Sequence, residues 1–163
     1  VEFVPLGGTN EVENDGKTFG LLLSKLAPGI KTWRIFDRDD RHESEIQNLQ
    51  TTGTHVLKRR DLEIYLWDEE VLSKLCHLHA QSEKLADLVT ERDAAIADAT
   101  SRGYPTDDMK AIGGRLYNKC KQLLGLTQCG NDVEAFGRLT LAPLIQPGMQ
   151  VYDELNAIVM APR

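Results

Sequence analysis

Hydrophobic and polar positions near the start of the chain repeat with the short period of β-strands, interrupted by one stretch with a helical period. Residues 1–6 (VEFVPL) alternate and predict a strand, and Lys31–Phe36 predicts a second one. Glu11–Lys25 between them predicts a helix. This order indicates a βαβ unit with parallel strands. The predicted buried face of the helix consists of Leu21, Leu22, Leu23 and Leu26.

The next segments repeat the order of strand, helix and strand. Arg41–Gln50 predicts a short polar helix, Thr51–Gly53 a turn, and Thr54–Leu57 a further strand. The pattern therefore predicts an α/β fold built on a small parallel, Rossmann-like sheet.

The second half of the chain has helical periodicity only. We therefore expect two parts, an α/β core over residues 1–67 and a helical region over residues 68–163. The Ser82–Thr100 helix is expected to bury Leu85, Leu88, Val89 and Ile96. The predicted helices are Asp68–Leu78, Ser82–Thr100, Thr106–Leu124, Asp132–Leu141 and Met149–Met160.

Composition narrows the class of protein. The chain has 163 residues, of which 41% are hydrophobic and 27% charged, as in soluble globular proteins. No apolar run is long enough to span a membrane, so we expect no membrane partner. The net charge of −6 argues against a protein that coats nucleic acid. The chain begins with Val1 rather than Met, and we expect it to be a piece of a longer protein.

The three cysteines, Cys76, Cys120 and Cys129, are odd in number and follow no paired pattern. We therefore expect reduced thiols in a cytoplasmic protein. Cys76 with His77 and His79 has a spacing that matches no standard structural zinc site.

Two aspartates follow the predicted strand Lys31–Phe36. In an extended segment, residues two apart point to the same side, so Asp37 and Asp39 are expected to direct two carboxylates to one place. Such oxygen ligands suit Mg²⁺, and the carboxyl ends of strands are where ligand sites form in open α/β sheets. The alternative is a solvated turn rich in aspartate.

A second charged segment follows the predicted strand Thr54–Leu57. Lys58, Arg59 and Arg60 are three consecutive cations, and Glu63 comes shortly after them. If both strands end at the same edge of the sheet, Glu63 approaches the ion site and the cations meet phosphates there. The alternative is a charged loop whose side chains pair locally.

These motifs, in this order, resemble the Toprim domain of the overcoming-lysogenization-defect (OLD) nucleases. The resemblance implies a Toprim-like sheet and an Mg²⁺- or Mn²⁺-dependent nuclease acting on nucleic acid, with DNA as the expected substrate. It also implies an AAA/ABC-type ATPase domain in the same or a partner chain, within a larger defence protein. The segments that carry it are VEFVPLGG (1–8), IFDRDD (35–40), HVLKRRDLEIYL (55–66) and, more loosely, LIQPGMQVYDEL (144–155).

The resemblance also implies roles for individual residues. Asp37, Asp39 and Glu63 correspond to metal ligands and catalytic acids, and Lys110 to a lysine that stabilises the transition state. Lys58, Arg59 and Arg60 correspond to contacts with the nucleic-acid backbone. In that family an earlier strand ends in a Glu-Gly motif, which the chain as given lacks, so we expect the isolated fragment to be inactive.

Two other functions compete with this one. In a phosphotransferase of the haloacid-dehalogenase type, Asp37 is the nucleophile and Asp39 the acid, although Asp40 and Arg41 stand where a small residue is usual. In a non-catalytic module, the polar Ser82–Thr100 helix lies at an oligomerisation or docking interface, including one between identical chains.

Overall fold

A computed structural model describes residues 18, 20–23, 25–29 and 34–160 of the chain. The chain divides into two compact units, Val1–Val56 and Leu57–Arg163. The predicted division after residue 67 remains a prediction.

The described part of the first unit contains a parallel pair of strands joined by a helix. Strand β1 (Arg34–Phe36) is followed by helix α1 (Glu43–Thr51) and strand β2 (Thr54–Val56). Phe36 is opposite Val56 in the parallel register, and both side chains are buried with Ile46 of α1. The predicted order of strand, helix and parallel strand is therefore confirmed here, and its small core is made by alternate strand positions and one helix face.

Part of the N-terminal prediction lies outside the described residues. This applies to the strand at residues 1–6, to the first part of the Glu11–Lys25 helix, and to residues 31–33. Residues 20–23 and 25–26 are helical. The expected buried leucine face is wrong, because Leu21, Leu22 and Leu26 are exposed and only Leu23 is half-buried. Consecutive helical residues lie about 100° apart around the axis, so three leucines in a row cannot share one face.

The described residues of the second unit form helices joined by turns and loops. Its described α-helices are α2 (Leu62–Leu66), α3 (Glu69–Leu78), α4 (Leu85–Ser101), α5 (Gly113–Leu124), α6 (Val133–Phe136) and α7 (Gln150–Val159). A 3₁₀ turn at Ser82–Lys84 precedes α4, and α6 continues into a π-helix, Gly137–Leu141, and a 3₁₀ turn, Ala142–Leu144.

Local end signals place several of these helices where the sequence predicts them. Asp68 caps α3, since its carboxylate accepts a hydrogen bond from the backbone N–H of Glu70. Gly125 ends α5 with a φ of 63°, the left-handed conformation that glycine adopts readily. On α4 the buried positions are Leu88, Ala95 and Ala99, whereas the predicted Leu85, Val89 and Ile96 are half-buried.

The centre of the second unit is aromatic. The rings of Trp67 and Phe136 have centroids 5.8 Å apart, and those of Tyr117 and Phe136 are 5.3 Å apart. Phe136 is fully buried, so the short helix α6 is fixed by its last side chain. None of the helices in the described ranges is both long enough and apolar enough to cross a membrane.

All three cysteines are buried free thiols of the second unit. Burial, together with a smaller contribution from the neighbouring Cys76 and Cys129, raises the pKa of Cys120 to about 12. Burial also raises the pKa of Cys76. The thiolate, which is the reactive form, is therefore disfavoured in this core.

Candidate functional site

The two predicted aspartates lie in the turn that follows β1. The strand ends at Phe36, and Asp39 and Asp40 form a turn in which Asp39 has a φ of 47°. Asp37 is half-buried and Asp39 is exposed. The expectation of an extended Asp37–Asp39 segment is therefore wrong. Aspartate tolerates the left-handed conformation better than most residues, which lets the chain turn at Asp39.

Arg41 holds this turn and was not predicted from the sequence. Its Nη1 atom donates to the backbone carbonyl of Asp37 at 2.6 Å and to the Asp39 carboxylate at 3.1 Å. The guanidinium also lies 5.6 Å from the centroid of the Phe36 ring. A positive charge is thus fixed between the strand end and the Asp39 carboxylate. The available sequence signal was the position of Arg41, two residues after Asp39 in a turn.

Glu63 belongs to the second unit, in the first turn of α2. Asp61 caps this helix by accepting a hydrogen bond from the backbone N–H of Ile64 at 3.0 Å, and its side chain is buried. The Oε2 atom of Glu63 is buried as well. Hydrophobic periodicity predicts no helix in this segment, although an aspartate just before Leu-Glu is a capping signal. The role of Glu63 as a metal ligand stays a prediction.

The three predicted nucleic-acid-binding cations each face a carboxylate within the second unit. Lys58 lies 3.5 Å from Glu154, and Arg60 lies 3.7 Å from Asp107. The exposed fraction of the side chain is 69% for Lys58 but only 19% for Arg59 and 12% for Arg60. Of the three, Lys58 therefore has the side chain most accessible to a phosphate group.

Arg59 is the centre of a charge network. Its guanidinium contacts the Glu154 carboxylate at 2.8 Å and the Asp68 carboxylate at 2.6 Å, and lies 4.8 Å from the Tyr65 ring centroid. Burial lowers the pKa of Arg59, but the hydrogen bonds to Glu154 and Asp68 outweigh this and raise it. Chiefly through its hydrogen bond with Arg59, the pKa of Glu154 is lowered. Arg59 thereby links α7 to the start of α3.

Replacing Glu154 with glutamine is expected to lower the free energy of unfolding by about 2 kcal/mol at pH 7, because a largely buried arginine loses a charged partner. The folded-state pKa of Glu154 lies below its ordinary value of 4.5. The stabilisation that the Glu154 carboxylate gives the folded state is therefore complete above pH 4.5 and is lost as the pH falls through the folded-state pKa. Urea unfolding of both proteins from pH 7 to pH 3 measures this.

The matched control for this prediction is Glu134→Gln, the same change at an exposed position of α6. We expect it to change the free energy of unfolding by less than about 0.5 kcal/mol. A Glu154→Gln protein whose deficit does not shrink on acidification would contradict the assigned role of the carboxylate.

Lys110 lies in an exposed turn before α5, not in a helix. The predicted helix start at Thr106 is wrong, since α5 begins at Gly113. The reason is local, because the Asp108 carboxylate accepts a hydrogen bond from the backbone N–H of Ala111 at 3.1 Å and stabilises a turn instead. The catalytic role of Lys110 stays a prediction.

Within the ranges that the structure describes, no group of three or more His, Cys, Asp or Glu side chains is arranged to hold a metal ion. The residues predicted for one site are divided between the two units, with Asp37 and Asp39 in the first, and Glu63 and Lys110 in the second. No family model, curated protein or solved structure gives a significant match to the chain.

Proposed function

We propose that this chain carries a metal-dependent nuclease centre of the Toprim type, in which Asp37 and Asp39 bind Mg²⁺ or Mn²⁺. One observation carries the proposal: Asp37 directly follows the last residue of β1, and β1 pairs in parallel with β2, to which helix α1 connects it. In parallel α/β arrangements, ligand sites form at the carboxyl ends of the strands. The proposal includes a larger Toprim-like sheet, of which β1 and β2 are two neighbouring strands.

The side chains of the turn after β1 fit such an ion chemically. Asp37 and Asp39 offer carboxylate oxygens, the ligands that hard divalent cations prefer. Asp39 is exposed, which leaves room for the water molecules that Mg²⁺ keeps when it binds proteins. Bound divalent cations polarise a phosphodiester and activate a water molecule for hydrolysis.

The chain's own residues have the following proposed roles. Asp37 and Asp39 hold the cations at the end of β1. Lys58, the most accessible cation of the basic triplet, contacts the nucleic-acid backbone without reading its sequence. Glu63 as a further ligand, Lys110 as a transition-state contact and an associated ATPase domain remain proposals that rest on the resemblance alone.

Asp37→Asn and Asp39→Asn are expected each to weaken Mn²⁺ binding about tenfold or more, since about 1.4 kcal/mol of charged-ligand interaction corresponds to a factor of ten. Cleavage of plasmid DNA by the natural full-length protein is expected to fall at least in proportion. Mn²⁺ binding is measured by electron paramagnetic resonance and cleavage on agarose gels, with RNA as a second substrate.

The matched control is Asp87→Asn, the same change at an exposed position of α4. It is expected to bind Mn²⁺ and cleave like the unmodified protein. Unchanged binding and cleavage in both Asp37→Asn and Asp39→Asn would refute the site. A phosphoryl group covalently attached to Asp37 after incubation with a phosphoryl donor would instead favour the phosphotransferase.

A further inference from the structure

The Arg41 side chain is anchored at several points of the turn after β1. In addition to its contact with the Asp39 carboxylate, it donates to the backbone carbonyls of Asp37 at 2.6 Å and Arg38 at 3.4 Å. The face of the Phe36 ring gives it a further contact. The exposed fraction of the Arg41 side chain is 16%, compared with 45% for Asp39. The guanidinium is therefore held by groups other than the carboxylate it neutralises.

The groups that anchor the Arg41 guanidinium are thus different from the carboxylate whose charge it neutralises. The backbone contacts fix the position of the guanidinium whether or not Asp39 stays bound to it. The Asp39 side chain is more exposed than that of Arg41, so solvent and ions reach its carboxylate. A divalent cation carries twice the charge of the guanidinium and is attracted correspondingly more strongly to a carboxylate.

We infer that Arg41 is a built-in counter-ion for Asp39, which a divalent cation displaces when it binds. The inference rests on the proposed function and adds regulation of the same site. Arg41 sets the cation concentration at which Asp39 becomes a ligand, and remains anchored to the carbonyl groups afterwards. A purely structural arginine has the opposite effect, because its loss loosens the turn and weakens binding.

Mn²⁺ titration of the full chain tests the sign of this effect. Removing the competing charge in Arg41→Gln is expected to tighten Mn²⁺ binding about three- to tenfold, as for a charge a few ångströms away in a solvent-exposed setting. Arg41→Lys keeps the charge and is expected to bind Mn²⁺ like the unmodified protein.

The matched control is Arg38→Gln, which removes the same charge from the same turn. The Arg38 side chain forms an ion pair with Glu43 at 3.7 Å. We expect its effect on Mn²⁺ binding to be clearly smaller than that of Arg41→Gln. If both variants bind Mn²⁺ more tightly to the same extent, the effect comes from net charge alone and the inference is overturned.

A second measurement needs no variant that alters the turn. Addition of Mg²⁺ to the unmodified protein is expected to shift the side-chain N–H resonance of Arg41 in the ¹H–¹⁵N spectrum and leave that of Arg38 nearly unchanged. Absence of an Arg41 shift at saturating Mg²⁺, or weaker Mn²⁺ binding by Arg41→Gln, would overturn the inference while the metal site stands. Mn²⁺ binding that is unaffected by Asp39→Asn would also overturn the inference, and binding that is unaffected by Asp37→Asn as well would overturn the site together with it.

Discussion

Replacing Phe136 with alanine is expected to lower the free energy of unfolding by about 3–5 kcal/mol, the range for deleting a fully buried aromatic side chain. Phe136 is completely buried and its ring is in contact distance of both Trp67 and Tyr117. The substitution removes the shared partner of two aromatic side chains and leaves a cavity that rigid helices fill poorly. Urea unfolding followed by circular dichroism measures the loss.

Phe136→Leu is the matched variant, since it keeps most of the apolar volume and removes the ring. It is expected to lower the free energy of unfolding by about 1–2 kcal/mol, clearly less than alanine does. If Phe136→Ala loses less than about 1 kcal/mol, the aromatic cluster is not the centre of this unit's stability.

Replacing Gly130 with alanine is expected to lower the free energy of unfolding by about 3 kcal/mol, through two additive causes. Gly130 has a φ of 95°, which side-chain-bearing residues rarely adopt. A Cβ atom there meets the backbone N of Phe136 at 2.7 Å and the backbone C of Ala135 at 2.8 Å. Backbone atoms of a packed helix cannot yield as a flexible side chain does, and the Tyr117 hydroxyl also binds the Gly130 carbonyl at 2.9 Å.

Gly125→Ala separates the two causes. Gly125 also has a positive φ, 63°, but a Cβ atom there has no neighbour within 4 Å. Only the conformational term applies, so we expect a loss of about 1 kcal/mol in the free energy of unfolding. Equal losses in the two variants, measured by the same urea titration, would show that the close approach at Gly130 carries no energetic weight.

Features with a local cause were predictable from the sequence. Asp68 before Glu69 and Glu70 predicts the start of α3, and Gly125 predicts the end of α5, because the same few residues make and satisfy the backbone groups of each helix end. The order of β1, α1 and β2 was predictable as well, because hydrophobic periodicity is also read from neighbouring residues.

Features that depend on distant partners were not predictable. Arg59 and Glu154 are 95 residues apart, and neither position has a local signal of the other. Helix α2 was missed because its five residues are too few for a periodic pattern, although Asp61 offered a capping signal. The start of α5 was placed too early, because the Asp108 side chain competes with helix formation at short range.

The location of the two aspartates after a strand was predictable, but the conformation of their turn was not. The sequence places Asp37 and Asp39 at the end of a strand, and the structure has them there. The turn at Asp39 and its pairing with Arg41 depend on a left-handed backbone and on the Phe36 ring, which alternation alone does not reveal. Strand periodicity therefore indicates the positions of the two aspartates but not the counter-ion of Asp39.

The charge network around Arg59 also has a consequence for synthesis on the ribosome. Arg59 is translated near the beginning of its unit, whereas Glu154 of α7 is translated close to its end. Until α7 has left the exit tunnel, Arg59 lacks the Glu154 carboxylate that offsets its burial, and an insufficiently compensated charge opposes closure of a core. The nascent unit is therefore expected to stay open to chaperones and proteases until its last helix docks.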